Sequence, residues 1–318
     1  MPTALKIAVL AGGSSAEAEV SRSSAGGIAS ALRTWGHEVV VIELDRELVG
    51  ALRAVDPDVV FPMLHGPPGE DGTVQGLLAM LGMPFVGSGV QGSAAAMDKY
   101  LAKALFQAAG LPVVDDVLIA PETDSEAAAE RVRTAIGDRV VIKPRRQGSA
   151  LGVTLLPNGG DLVQPLREAL GYGGGALVER HVTGTEATVG VLDEHGADAV
   201  PLPVTEITVA DGEWYDFDNR YTPGKSEHII PARLPETRLR ELEDYAVRAH
   251  RCLGLRDFSR ADFIVGDSVW LLEVNALPGM TSTSLFPDAC RAAGIDFAEM
   301  AERLALSALR RGPDRTEQ

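Results

Sequence analysis

Cysteine is nearly absent, with only Cys252 and Cys290 in 318 residues. The two lack CxxC spacing and neighbouring histidines, so neither a disulfide framework nor a zinc site is supported, and both read as small buried apolar residues. Positive charge is also in deficit: 29 Lys and Arg stand against 45 Asp and Glu, a formal charge of −16, and no basic block interrupts that balance. A protein that grips a phosphate backbone needs the opposite field, so nucleic-acid binding is excluded. No apolar run approaches the ~18–20 residues that span a bilayer. The first apolar stretch, Ile7 to Ala11, is shorter than the ~7–15 residues of a signal-peptide core. It reads as a buried first strand, and the protein as cytoplasmic. What the chain does have, 45% hydrophobic and 23% charged residues, is the composition of a globular protein, long enough for two or three domains.

Residues 6 to 95 alternate short β-rich runs (Ile7 to Leu10, Val39 to Leu44, Val59 to Leu64) with helical patterns (Val20 to Trp35, Thr73 to Leu81). That alternation predicts parallel strands joined by crossover helices. A helical pattern from Ala94 to Gly110 opens a second, α+β unit with strands at Val117 to Ile119, Val140 to Ile142, Val153 to Leu156 and Leu177 to Val182, and a helix over Asp161 to Leu170. A third unit begins near Glu186 with strand-like runs at Thr188 to Leu192 and Ala199 to Val209. It contains one well-delimited helix, opened by Pro235 and closed by Gly254. The residues from Arg310 onward lack apolar anchors and are expected to fray.

Several motifs carry chemistry, each beside a blander alternative. Gly87-Ser88-Gly89-Val90-Gln91-Gly92 satisfies GxGxxG, with Asp115 and Asp116 downstream, which fits a nicotinamide dehydrogenase or merely a tight turn. The phosphate loop GxxxxGK[ST] is absent. The strand Val140 to Pro144 runs through Lys143 into Arg145-Arg146-Gln147-Gly148-Ser149-Ala150-Leu151-Gly152. Two glycines there let backbone N–H groups close over an anion flanked by three cations; the alternative is an ordinary basic hairpin. Only 5 of the basic residues are lysines against 24 arginines, which sets Lys143 apart from surface filler. Glu179 and Glu186 follow in a strand-rich stretch, where a carboxylate accepts from ribose hydroxyls or simply sits on the surface. Glu17 ends Ser14-Ser15-Ala16-Glu17, which matches a capping box. His65 closes an apolar strand before Gly66, as a proton carrier or a loop brace.

The most informative segment is Arg260 to Asn275, read as a hairpin turning at Gly266-Asp267 in a two-residue type II′ loop. In that register Asp262 faces Leu271 and Arg260 faces Glu273, so Arg260, Asp262, Glu273 and Asn275 share one face. Oxygen-only donors suit Mg²⁺, which keeps waters and substrate phosphates in its other positions. The alternative is a solvated, salt-bridged sheet face, and a three-residue loop would send Glu273 and Asn275 to the other side.

Taken in order, Gly12-Gly13-Ser14-Ser15-Ala16-Glu17, His65-Gly66, Glu70-Asp71-Gly72, Met97-Asp98-Lys99 and Glu273-Val274-Asn275 through Pro278-Gly279-Met280-Thr281-Ser282 resemble the D-alanine:D-alanine ligases of the ATP-grasp superfamily. The resemblance runs from Lys6 to about Leu309. It implies an ATP-grasp fold, α/β and α+β in class, with an N-terminal parallel α/β domain (1–95) and two further α+β domains (96–185 and 186–318) enclosing the nucleotide. It also implies a homodimer acting on D-alanine and ATP in the synthesis of peptidoglycan precursors.

By the same resemblance, Lys99, Lys143 and Ser149 lie on the nucleotide side, with Glu179, the Val182 backbone and Glu186 toward adenine and ribose. Asp262, Glu273 and Asn275 hold two Mg²⁺, for which Mn²⁺ substitutes. Glu17 receives the ammonium of the first D-alanine, and Ser284 with the Leu285 backbone the carboxylate of the second. Arg260 and the Gly279 N–H face the oxyanion, and His65 assists deprotonation. Ser149 and Tyr221 bond to Glu17 to close a loop running from Phe217 to Pro231. The chain departs from the common pattern at Arg220, before the loop tyrosine, at Ala150, which removes a hydroxyl from the glycine loop, and at Ala18, beside the first-substrate pocket. The readings that compete are an ATP-grasp ligase for another amino-acid pair, the dehydrogenase, and a binding protein whose acidic hairpin sequesters a cation.

Overall fold

The computed structural model describes residues 4–210, 214–216, 219–220, 222, 224–281 and 283–314. Its N-terminal sheet is parallel, in the order β2-β1-β3, built from β1 (Lys6–Ala11), β2 (Glu38–Glu43) and β3 (Val59–Pro62). Successive side chains of β1 point to opposite faces. Ile7, Val9 and Ala11 pack with helix α1 (Ala18–Thr34), while Ala8 and Leu10 join the cluster under α2 (Leu48–Val55) and α3 (Thr73–Met80).

The helical pattern near residue 100 is two helices, α4 (Val90–Met97) and α5 (Lys99–Ala108), broken at Asp98. The Asp98 carboxylate caps α5 by accepting from the Leu101 N–H at 3.2 Å, and it also accepts from Arg145 Nε at 2.7 Å and Arg146 Nε at 2.9 Å. The break makes Lys99 the first residue of α5 and sets Lys103 one turn further on the same face.

An antiparallel sheet follows in the order β4-β7-β5-β6, from β4 (Asp116–Ile119), β5 (Val140–Pro144), β6 (Thr154–Leu156) and β7 (Ala176–Arg180). Helices α6 (Ser125–Ile136) and α7 (Val163–Gly171) cover one face, burying Val140, Ile142 and Val178. The intervening residues Val141, Lys143 and Glu179 therefore look the other way. Helix α6 was not anticipated, although Asp124 caps it by accepting from Glu126 and Ala127 N–H, and Ala128, Ala129 and Val132 form its buried stripe.

The third sheet runs β11-β10-β8-β12-β13 with β9 alongside β8: β8 (Thr185–Asp193), β9 (Val200–Pro201), β10 (Thr205–Val209), β11 (Ser226–Ile229), β12 (Asp257–Val265) and β13 (Val269–Asn275). Its apolar face (Ala187, Val189, Ala261, Phe263, Leu271, Val274) packs against α5 and α8 (Glu236–Cys252). Two further helices, α9 (Leu285–Ala292) and α10 (Phe297–Arg311), complete the chain, so this part holds more than the single helix read from sequence. Nor are the described residues from Arg310 to Asp314 loose, contrary to the fraying expected there. Arg311 Nη1 and Nη2 grip buried Asp257 at 2.5 and 2.9 Å, and Arg256 Nη1 bonds Asp314 at 2.6 Å. No described helix is long and apolar enough to cross a membrane.

Candidate active site

The second and third sheets turn their charged faces onto one cleft, and the hairpin β12–β13 decides what the third sheet presents. Val265 pairs with Val269, so the turn has three residues, Gly266 to Ser268, instead of two. Such a turn alone would point Glu273 away from Asp262. The register then slips: Phe263 pairs with Leu271 but Asp262 with Glu273, which leaves Leu272 as an extra, bulged residue. The slip restores the parity. Arg260 now faces Asn275 and Asp262 faces Glu273, a register different from the expected one with the same four residues on one side.

Two adjoining chambers occupy the cleft. One is mainly apolar, lined by Val141, Val153, Leu155, Ile264, Leu272 and Trp214, with Val182 at its wall beside the charged Lys143, Glu179, Glu186 and Asp262. The other is polar and holds Glu17, His65, Arg260, Asn275, Gly279, Ser284 and Leu285. Lys99, Gln147, Gly148, Arg220, Tyr215 and Glu273 line both, so the chambers meet at a charged junction. A flat apolar slot ending in cations is the shape and chemistry of a nucleotide site, and the polar chamber is of amino-acid character.

Burial sets the charge states. Glu186 is pushed up to about 7 by burial first, with Asp262 and Glu273 adding and Arg220 opposing. Glu273 is also penalised by desolvation, yet Lys99, Lys143 and Arg220 overcome that and hold it at about 2. Lys99 Nζ lies 3.6 Å from Glu273 and also donates to the Gln147 carbonyl. Glu179, 2% exposed, is clamped between Lys143 and Lys103, the latter at 2.7 Å, so in this structure it is a lysine partner and not a free acceptor for ribose. Asp262 accepts two bonds from Arg260, Nε and Nη2 both at 2.8 Å, and one from Thr188 Oγ1 at 2.6 Å.

As a donor set, Asp262, Glu273 and Asn275 offer hard oxygens on one sheet face beside the phosphate end of the slot, which fits Mg²⁺. Asn275 Oδ1 also accepts from the Leu277 N–H at 2.8 Å. Among the described residues no group of three or more His, Cys, Asp and Glu forms a site without such help from an amide and a ligand.

In the polar chamber Glu17 directly precedes α1, but its side chain makes no capping bond, so the capping-box alternative fails. Its carboxylate instead accepts from Ser149 Oγ, 132 residues away. Burial chiefly, then the Glu70 charge, raises the Glu17 pKa above the ordinary value. A side chain on Gly66 would put its Cβ 3.0 Å from Glu17 Oε2, so glycine is what lets this loop approach. His65 is braced at both nitrogens, 3.5 Å from Glu70 by Nδ1 and 3.3 Å from Ser24 Oγ by Nε2. Ser149 (φ 47°) and Ala150 (φ 58°) adopt left-handed backbone, at a cost of roughly 1–2 kcal/mol each for non-glycine residues. Strain of that kind held in a loop over a cleft is typical of a built site.

Ser284 Oγ bonds back to Thr281, accepting from its N–H at 3.0 Å, and Leu285 begins α9, whose first-turn N–H groups have no partner within the helix. Gly279 abuts Ser284, where a Cβ would come within 2.9 Å of Oγ. Arg220 stacks 4.6 Å over the Tyr215 ring and donates from Nε to its carbonyl. Tyr221, Phe217, Pro223 and Ser282 lie outside the described residues.

Two expectations change. Arg145 and Arg146 are committed to Asp98, so only Lys143 of the three cations flanking the glycine loop serves the cleft. The Gly87–Gly92 turn does not cradle a dinucleotide: its Gly87 N–H donates to Asp257 at 2.7 Å, Arg256 Nε binds the Gly87 carbonyl at 2.9 Å, and Gly92 lies against the Gly254 carbonyl. Lys103, Glu70, Gln147, Thr188 and Tyr215 were missed. Glu70 and Gln147 lay inside quoted motifs without being given a role, and the lysine had a signal in its i,i+4 spacing from Lys99 in a lysine-poor chain.

Residues 105–305 match the family described as D-ala D-ala ligase C-terminus, and 50–88 its N-terminus counterpart. The D-alanine–D-alanine ligase of Halalkalibacterium halodurans is 46% identical over 299 residues, covering 93% of this chain and 96% of the relative. That of Desulforudis audaxviator is 44% identical over 94% of this chain and 97% of the relative. Among solved structures, the Bacillus anthracis D-alanine–D-alanine ligase complexed with ATP superposes with a TM-score of 0.82 at 28% identity, over 96% of this chain and 98% of that one. Fold, cleft and relatives together define an ATP-dependent ligase of the ATP-grasp class. Within that class, the chain belongs to the D-alanine–D-alanine ligase family.

Proposed function

We propose that the protein joins two D-alanines to D-alanyl-D-alanine at the expense of ATP, through an acyl phosphate, for peptidoglycan precursors. The observation that carries this reading is the pair of chambers meeting at Lys99, Gln147, Gly148 and Glu273. A carboxylate in one chamber there meets the terminal phosphate of a nucleotide in the other. Glu17 anchors the first ammonium, and the carboxylate attacks the γ-phosphorus, breaking its bond to the β-phosphate oxygen so that ADP leaves, while Lys143, Lys99 and the Gly148 backbone meet the phosphate charge. The amine of the second D-alanine, its carboxylate held by Ser284 and the Leu285 N–H, then attacks the acyl carbonyl. Arg260 and the Gly279 N–H receive the oxyanion, and phosphate leaves. His65 takes up the amine proton, directly or through water.

Asp262, Glu273 and Asn275 would hold Mg²⁺, which supplies charge neutralisation at the phosphates. Val182 and Glu186 take the adenine and ribose, and Ser149 closes the polar chamber over Glu17. Three domains at 1–95, 96–185 and 186–318 are supported by the three separate sheets. A cytoplasmic homodimer is the setting we infer.

The test is phosphate release from ATP and Mg²⁺ with a panel of D- and L-amino acids, the product identified by mass. Release that depends on D-alanine, with D-alanyl-D-alanine formed, is expected. Release only with another amino acid would overturn the substrate, and none with any would overturn the ligation.

A further inference from the structure

We propose that Lys103 is a positioning residue for the nucleotide phosphates: it is the permanent counter-ion of Glu179, and its presence is what frees Lys143 to leave that carboxylate for them. The inference rests on the ligase reading of the cleft and adds to it a residue that touches no substrate.

Lys103 is 1% exposed and is not part of either chamber wall. Its ammonium donates to the Val114 carbonyl at 2.9 Å and to Glu179 Oε1 at 2.7 Å, and it is ion-paired with Asp116 Oδ2 at 2.9 Å, so its partners all come from the fold. Lys143 is built oppositely. It lines the slot, and Glu179 Oε2 is its one ion-pair partner among the described residues.

Glu179 is therefore held at each oxygen by a different lysine, one partnered wholly by the fold, the other at the edge of the cleft. When phosphate enters, Lys143 must give up part of its bond to Glu179. A buried carboxylate stranded without a cation resists that exchange, because an unpaired buried charge is expensive. Lys103 removes the resistance by keeping Glu179 paired throughout. Its geometry is in turn set by α5, which begins at the Asp98 break and carries Lys99 into the junction, so both lysines are indexed by one helix.

The test is titration of the full-length protein with ATP and Mg²⁺ in the absence of amino acid, followed by KM for ATP and for D-alanine. Lys103→Met should raise the Kd and KM for ATP about 10- to 100-fold, the worth of one charge-assisted bond, with the KM for D-alanine little changed. Asp116→Asn keeps an acceptor for Lys103 and leaves Glu179 paired, so it should move the ATP affinity by no more than about twofold. In the background of Glu179→Gln there is no carboxylate to strand. Adding Lys103→Met there should change ATP affinity by less than about twofold, and that double variant should fold even where the single one does not.

Equal losses from Lys103→Met and Asp116→Asn, or an undiminished effect of Lys103→Met in the Glu179→Gln background, would mean that Lys103 merely props the fold, and would overturn the proposal. ATP binding by the unsubstituted protein, read in the same titration, tests the ligase reading separately.

Discussion

Replacing Glu186 by glutamine should make the ligand-free protein more stable and the enzyme worse. Glu186 is held at about 7 against an ordinary 4.5, because burial and the neighbouring Asp262 and Glu273 outweigh Arg220. Ionising it in the fold therefore opposes folding. At pH 8 the opposition has a ceiling of about 3 kcal/mol, which water in an open cleft reduces to roughly 1–2 kcal/mol. The sign follows from the raised value. The penalty is complete above the folded pKa, shrinks as pH falls through about 7, and is gone below the unfolded value near 4.5.

Glu186→Gln should thus raise the melting temperature by about 2–4 °C at pH 8, at roughly 2 °C per kcal/mol for a chain of this size, and by almost nothing at pH 4.5. The same change removes an ionisable acceptor from the wall of the slot and, on the proposed ribose contact, should weaken ATP about tenfold. The assays are thermal melts from pH 4.5 to 8.5 and ATP titration. A variant less stable than the parent at pH 8, or a gain that does not fade as pH falls, would refute the reasoning.

Other outcomes follow from the same geometry. Glu273→Gln keeps volume but removes a carboxylate held ionised at about 2, and phosphate release should fall at least about 100-fold with the melting curve nearly unchanged. Asp267→Ala, in the three-residue turn of the same hairpin, should stay within about 0.5 kcal/mol in stability and near the parent rate. Gly152→Ala places a Cβ 2.5 Å from the Tyr172 ring at φ 69°, so it should cost at least about 1 kcal/mol in denaturant unfolding and raise the KM for ATP by disturbing the loop that carries Gly148 and Ser149. Asp98→Ala removes the α5 cap and releases Arg145 and Arg146, which should lower stability by about 1–2 kcal/mol in the same assay; an unchanged midpoint would show that the break in α4–α5 needs no cap.

Local pattern determined much of this protein. Alternation in Val140 to Lys143 put Lys143 opposite the α6–α7 face, because side chains two apart share a side whatever the sheet packs against. The apolar spacing from Leu239 to Leu253, between Pro235 and Gly254, likewise contained its helix. The ordered motifs from Gly12 to Thr281 carried the family.

Only the tertiary structure decided pairings between distant segments. Whether Glu17 caps its own helix or meets Ser149, and whether Arg145 and Arg146 serve the cleft or Asp98, depends on which groups the packed sheets and loops bring within reach. Periodicity carries no information about that. The hairpin shows the limit most clearly: the four polar residues share a face as their spacing suggested, but through a three-residue turn and a bulge at Leu272 whose effects on parity cancel. A sequence records the residues and their order. The register that aligns Asp262 with Glu273, and the burial that drives Glu186 to about 7 while its neighbour Glu273 stays near 2, come from the closed fold, where solvent is excluded and the nearest charge decides.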